Sequence, residues 1–208
     1  MVSKGQYLER PALIPLGTEV LEGLWHRGVR APPLLVVPPP PGTGSMDHLV
    51  CAELAWAAAR AGHPVLRFNF RGVGASQGTV GDGPSRVEDA AAALRLLREN
   101  AEVTDVAVAV VEDSLSTGLR LTQLHPGIVG VVLVSPPADP VLVTVSVPLL
   151  CIAGGLEPGQ AGLAALVQQA GGRLVPVPEA DRRFLRHLPR VGQAAVEWLA
   201  RLAKAPES

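Results

Sequence analysis

The stretch Val106-Ala-Val-Ala-Val-Val111 carries no polar residue and no alternation of polar with apolar. A short run of that kind suits a strand buried on both faces, and such strands occur at the centre of parallel sheets. Neighbouring parallel strands need a crossover, normally a helix. The next residues suit one: Glu112-Asp113-Ser114 is short and polar, and Leu115 to Leu124 reads as a helix. The chain is therefore expected to turn sharply from its central strand into a helix, with Ser114 at the tip of the turn.

Strand and helix patterns repeat on both sides of this unit. Gly17 to Gly28 alternates as one strand or a hairpin at the sheet edge. Pro33 to Val37 is a short buried strand that ends on Pro38-Pro39-Pro40-Pro41. A helix is predicted from about Asp47 to Ala61, with Leu49, Ala52, Trp56 and Ala59 as its apolar face and Gly62 closing it. Val65 to Phe70 is the next strand, and Arg71 to Gly78 is a loop of glycines and small residues. Ser85 and Glu88 fit a reciprocal capping box for a helix whose inner face is Val87, Ala90, Ala91, Leu94 and Leu97. Further strands are expected at Ile128 to Val134, Val147 to Ala153 and Arg173 to Val177, with a helix from Leu163 to Ala170. A final helix starts near Pro189, with Val191, Ala195, Trp198 and Leu202 as its apolar face.

Strands separated by helices define an α/β class, a mostly parallel sheet with helices on both faces. The 208 residues are read as one domain, 1–208, with its core over about 17–203. Ligands of such sheets sit at the carboxyl ends of the strands. Only about a dozen residues separate Val134 from Val147, too few for a lid domain, so the site is expected to be open.

Composition excludes several functions. A net charge of −1 gives no electrostatic case for nucleic acid or an anionic membrane. Apolar stretches are interrupted well before the roughly 18 residues of a membrane span, and the N-terminus lacks a secretory apolar segment. Cys51 and Cys151 lie in apolar segments and read as reduced, buried thiols of a cytoplasmic protein. No metal is expected, because His26, His48, His63 and His125 have no ligand spacing. No cofactor is expected either: Gly72-Val-Gly74 follows a strand, but no helix begins there to hold a dinucleotide. His48 falls near the mouth of the expected cleft, at a helix N-terminus.

Leu66-Arg-Phe-Asn-Phe-Arg-Gly-Val-Gly-Ala-Ser76, with Gly44-Ser-Met-Asp47 upstream and Val132-Leu-Val-Ser-Pro-Pro137 downstream, resembles the small lidless α/β-hydrolases of bacteria. The resemblance runs from roughly Leu34 to Leu199. It implies the α/β-hydrolase fold and a serine nucleophile in a G-x-S-x-G turn, with an acid and then a histidine after later strands. Ser114 falls at the nucleophile position, although Glu112 and Ser116 stand where the glycines belong. A register with Ser116 at the tip gains small flanks in Ser114 and Gly118 but shortens the helix. Glu157 falls at the acid position, in Ala153-Gly-Gly-Leu-Glu157. Arg182 replaces the expected histidine in Glu179-Ala-Asp-Arg-Arg-Phe184, and His187 is the nearest substitute base. An oxyanion hole would draw on the N–H of Leu115 and on Gly42, Thr43 or Gly44, since Pro38 to Pro41 have none to give.

A guanidinium, with a pKa above about 12, cannot take a serine's proton, whereas imidazole titrates near 6.5. The resulting expectation is a degenerate triad: a pseudohydrolase that acts by binding an unknown protein or small-molecule ligand. The alternative is a weak serine esterase or thioesterase using Ser114, Glu157 and a recruited histidine. Arg182 is expected to pair with Glu157, Glu112 or Asp113, because a charge in a partly buried site needs a partner.

Overall fold

The computed structural model describes residues 9–137 and 146–203. Eight strands form one sheet: β1 (Arg10–Leu16), β2 (Glu19–His26), β3 (Leu34–Val37), β4 (Val65–Phe68), β5 (Val106–Val111), β6 (Ile128–Val134), β7 (Leu149–Gly154) and β8 (Arg173–Val177). Their spatial order is β1-β2-β4-β3-β5-β6-β7-β8, antiparallel from β1 to β4 and parallel from there to β8. Of the five helices, α1 (Leu49–Arg60), α2 (Gly83–Ala101), α3 (Leu115–Leu124) and α4 (Gln160–Gln169) lie in the connections between strands, and α5 (Leu188–Leu202) follows β8. Among the described residues no helix is long and apolar enough to cross a membrane.

Every residue of β5 is buried, and its alternation feeds two cores. Val106, Val108 and Val110 pack toward α2, α3 and α4, while Ala107, Ala109 and Val111 pack toward α1 and α5. The smaller pair of alanines lies under α1 and α5, which pack against each other. On the other face Gly118 of α3 sits on Val110, where an added Cβ would overlap the valine's Cγ2. The helix therefore lies close against the strand that feeds it.

Several local expectations are corrected. The edge hairpin begins earlier than the alternation indicates: β1 starts at Arg10 and reaches β2 through a turn at Gly17, φ +61°. The inner face of α1 is Val50, Cys51, Leu54, Ala55, Ala58 and Ala59, so Leu49 and Trp56 point outward, about half exposed. A helix over a parallel sheet that also packs on a second helix buries a broad face, and small alanines let it rotate. Asp82 caps α2 by accepting from the Ser85 backbone N–H, and Glu88 pairs with Arg71 instead of closing a box.

Both outermost strands carry proline. Pro11 and Pro15 in β1 and Pro176 in β8 have no N–H. Pro11 and Pro15 share one side of the pleat, so the free rim of β1 lacks two of its alternate donors.

His26 and His63 are almost wholly buried. His63 donates from Nδ1 to the Pro32 carbonyl at 2.9 Å while Nε2 has no partner, and His26 contacts Glu9 through Nε2 while Nδ1 has none. Burial pushes both imidazoles below their ordinary value; for His26 the Glu9 carboxylate opposes that without reversing it. The unfolded chain thus binds more protons once pH falls below about 6.5. Stability is present above that value and lost on acidification. Urea titrations should show a lower unfolding midpoint at about pH 5 than at about pH 7, and His63→Gln should flatten the dependence. A midpoint that does not move over this range would contradict the assignment.

Candidate functional site

β5 ends at Val111, and the chain reverses at Glu112, whose φ is +53°. Asp113 and Ser114 then complete a 3-10 turn that leads into α3. A positive φ on a residue with a long side chain costs of order 1–3 kcal/mol and persists only where the surroundings impose it. Ser114 has an ordinary backbone (φ −80°, ψ 8°) and is 1% exposed, and its Oγ donates to the Pro38 carbonyl at 2.6 Å. The strained residue of the turn is Glu112, two positions before the serine that the sequence pattern puts at the tip. Ser116 is no alternative tip, since it lies within α3. Ser114 and Gly118, one helical turn apart, instead give α3 a small-residue seat on the end of β3 and on Val110.

The loop after β8 is clamped by an arginine. Arg182 donates from Nη1 to the Pro136 carbonyl at 3.0 Å and from Nη2 to Asp113 Oδ1 at 3.3 Å, and its own carbonyl accepts from Ser135 Oγ at 2.7 Å. The expected ion pair therefore forms, with Asp113. Glu157 folds back on its own turn and accepts from the Gly154 N–H at 3.2 Å. His187 caps α5 and lies 3.9 Å from Glu179. Neither lines the cleft at the strand ends. In the loop after β3, the N–H groups of Thr43 and Gly44 both turn back to the Pro40 carbonyl, and Gly42 lies at the cleft with φ +91°. Leu115 is buried in the first turn of α3.

The cleft has a volume of about 740 Å³ and is lined by Gly42, Thr43, Asp47, His48, Leu49, Glu112, Asp113, Arg182, Arg183 and Leu185. His48 Nε2 lies 3.6 Å from Glu112 Oε1, too long for a hydrogen bond. The sequence places His48 near the cleft mouth; its nearness to Glu112 comes from where the turn reverses. Glu112 is the first residue after the valines, and putting the tip of the turn there is the reading that would have found it. A second hollow, of about 560 Å³, lies between α2 and α3 beside Val87, Thr117 and Leu124, and takes in none of the strand ends.

The Arg67 to Ser76 string builds the wall that carries His48. Arg67, almost wholly buried, donates to the Met46 carbonyl at 2.7 Å, to Asp47 at 3.2 Å and to Glu9 at 2.7 Å. Asn69 accepts from the Met46 N–H at 2.8 Å and donates to Glu22 at 2.9 Å. Ser76 bonds the Asn69 carbonyl, and Arg71 holds the buried Asp89 through its backbone N–H and Nε. The cysteines take no part: both thiols are buried and free, and burial pushes Cys151 up to about 12. Among the described residues no three His, Cys, Asp or Glu side chains meet as a metal centre would require.

The chain shares its fold with solved bacterial α/β-hydrolase structures. A protein of unknown function from Agrobacterium tumefaciens, grouped with the α/β hydrolases, superposes with a TM-score of 0.81 at 23% identity, covering 97% of this chain and 100% of the other. An α/β serine hydrolase homologue from Coxiella burnetii gives 0.80 at 25% identity over 91% and 97% of the two chains. An α/β serine hydrolase without lid from Xanthomonas campestris gives 0.79 at 21% identity over 96% and 97%. An uncharacterized protein of Rickettsia prowazekii (strain Madrid E) is 40% identical over 83 residues, which span 38% of this chain and 35% of the relative. No family model matches the chain.

Asn69→Ala should unfasten the cleft wall without touching the cleft. It strands the Met46 N–H and removes one of the two hydrogen bonds to Glu22 Oε2, the other coming from the Ala75 N–H, which should cost about 1–3 kcal/mol in denaturant titrations. The Met46 amide should then exchange its hydrogen faster relative to global unfolding. Unchanged Met46 protection would contradict this role.

Proposed function

On an α/β-hydrolase fold whose turn tip is a glutamate, we propose a pseudohydrolase: a chain that has given up serine hydrolysis and binds a small ligand at the strand ends. One observation carries the reading. The hydroxyl of Ser114 is buried and committed to the Pro38 carbonyl, while Glu112 holds the strained, cleft-facing position where this fold carries its nucleophile. Arg182, at the position of the missing base, is held by Asp113 and the Pro136 carbonyl and cannot accept a proton. A cleft of about 740 Å³ is within the usual range for small-molecule sites, about 300–1,000 Å³. The proposed compartment is the cytoplasm, in keeping with two buried, unpaired thiols.

The folded chain should not react with a fluorophosphonate probe, and p-nitrophenyl esters should be hydrolysed no faster than in buffer. Labelling that disappears in Ser114→Ala would establish the serine esterase instead. A gain of reactivity tests the placement directly. Glu112→Ser combined with Arg182→His should take up the probe at position 112, with ester hydrolysis raised about tenfold or more. Uptake at position 114 in that double variant would overturn it.

A further inference from the structure

If the cleft binds rather than hydrolyses, as the pseudohydrolase reading has it, its charges say what it binds. Asp47 shares Arg67 with Glu9, at 3.2 and 2.7 Å, and Asp113 pairs with Arg182 at 3.3 Å. Two cleft-lining charges remain. Glu112 receives no hydrogen bond from any described residue; its neighbour is the His48 imidazole at 3.6 Å. Arg183 has no ion-pair partner among the described residues. Among the described residues, one carboxylate whose only ionic neighbour is the His48 imidazole and one guanidinium without an ion-pair partner therefore line the same cleft. Leu49 and Leu185 line it too, 52% and 67% exposed, so it also offers apolar surface that is still in contact with water.

The geometry points to a small zwitterion with an apolar substituent, an apolar amino acid or a short peptide with free ends. Its ammonium goes to Glu112, its carboxylate to Arg183 and its apolar group to Leu49 and Leu185. Each charged contact is a charge-assisted hydrogen bond, and the guanidinium can hold a carboxylate with two parallel bonds. A plain anion would meet Glu112 unpaired, and a plain cation would meet Arg183 unpaired. A ligand bearing both charges satisfies both.

Calorimetric titration of the full chain tests this with leucine and leucylleucine, each compared with its N-acetylated and its C-amidated form. At least one free zwitterion should bind, and each cap should weaken it about tenfold or more. Glu112→Gln should erase the penalty for N-acetylation only, and Arg183→Ala the penalty for amidation only. This crossed pattern comes from the ligands as much as the variants, so a general loss of folding cannot imitate it. Equal affinity for free and capped forms, or no heat with either zwitterion at millimolar concentration, overturns the assignment. That failure is separate from failure of the pseudohydrolase reading, which rests on the fluorophosphonate result.

Discussion

The site depends on where one strand stops. β5 is buried on both faces and pinned between β3 and β6, so its last residue is fixed by the sheet. The next residue has to reverse the chain, and the reversal sets Glu112 at φ +53°. Everything nearby answers to that reversal. Asp113 meets the loop after β8, Ser114 turns back under Pro38, and Gly118 lets the helix settle on Val110. A positive φ under a glutamate is a cost that a glycine would avoid, and the packed sheet imposes it.

The central strand, its following helix and the parallel crossovers were legible because burial on both faces leaves an unbroken apolar run. β6 follows its apolar run for the same reason, while β8 is a largely half-exposed edge strand that keeps an apolar run all the same. The turn was harder. Ser114-Leu115 looks like the serine and following residue of a nucleophile turn, and that local likeness outweighed the end of the valines three residues earlier. The outward rotation of Leu49 and Trp56 was illegible for a different reason. Alanines on every side of α1 leave the sequence without a contrast between its faces, and the partner helix α5 decides.

The string from Arg67 to Ser76 carried the resemblance to hydrolases, yet its side chains do no chemistry. Arg67 and Asn69 fasten the Met46–His48 corner, and Arg71 and Ser76 fasten the loop to α2 and β2. The wall's hydrogen bonds stand whatever the cleft does. At the cleft itself the chain presents charged side chains, Glu112 beside His48 and Arg182 beside Asp113.

The prolines at the two rims of the sheet bear on how this molecule can meet others. A growing cross-strand ladder needs an unbroken file of amide hydrogens along the rim it extends, and β1 offers gaps at Pro11 and Pro15 while β8 offers one at Pro176. Backbone-to-backbone annealing between molecules is thereby discouraged at either end. Any self-association is left to side-chain surfaces, where it can be tuned one residue at a time without endangering solubility.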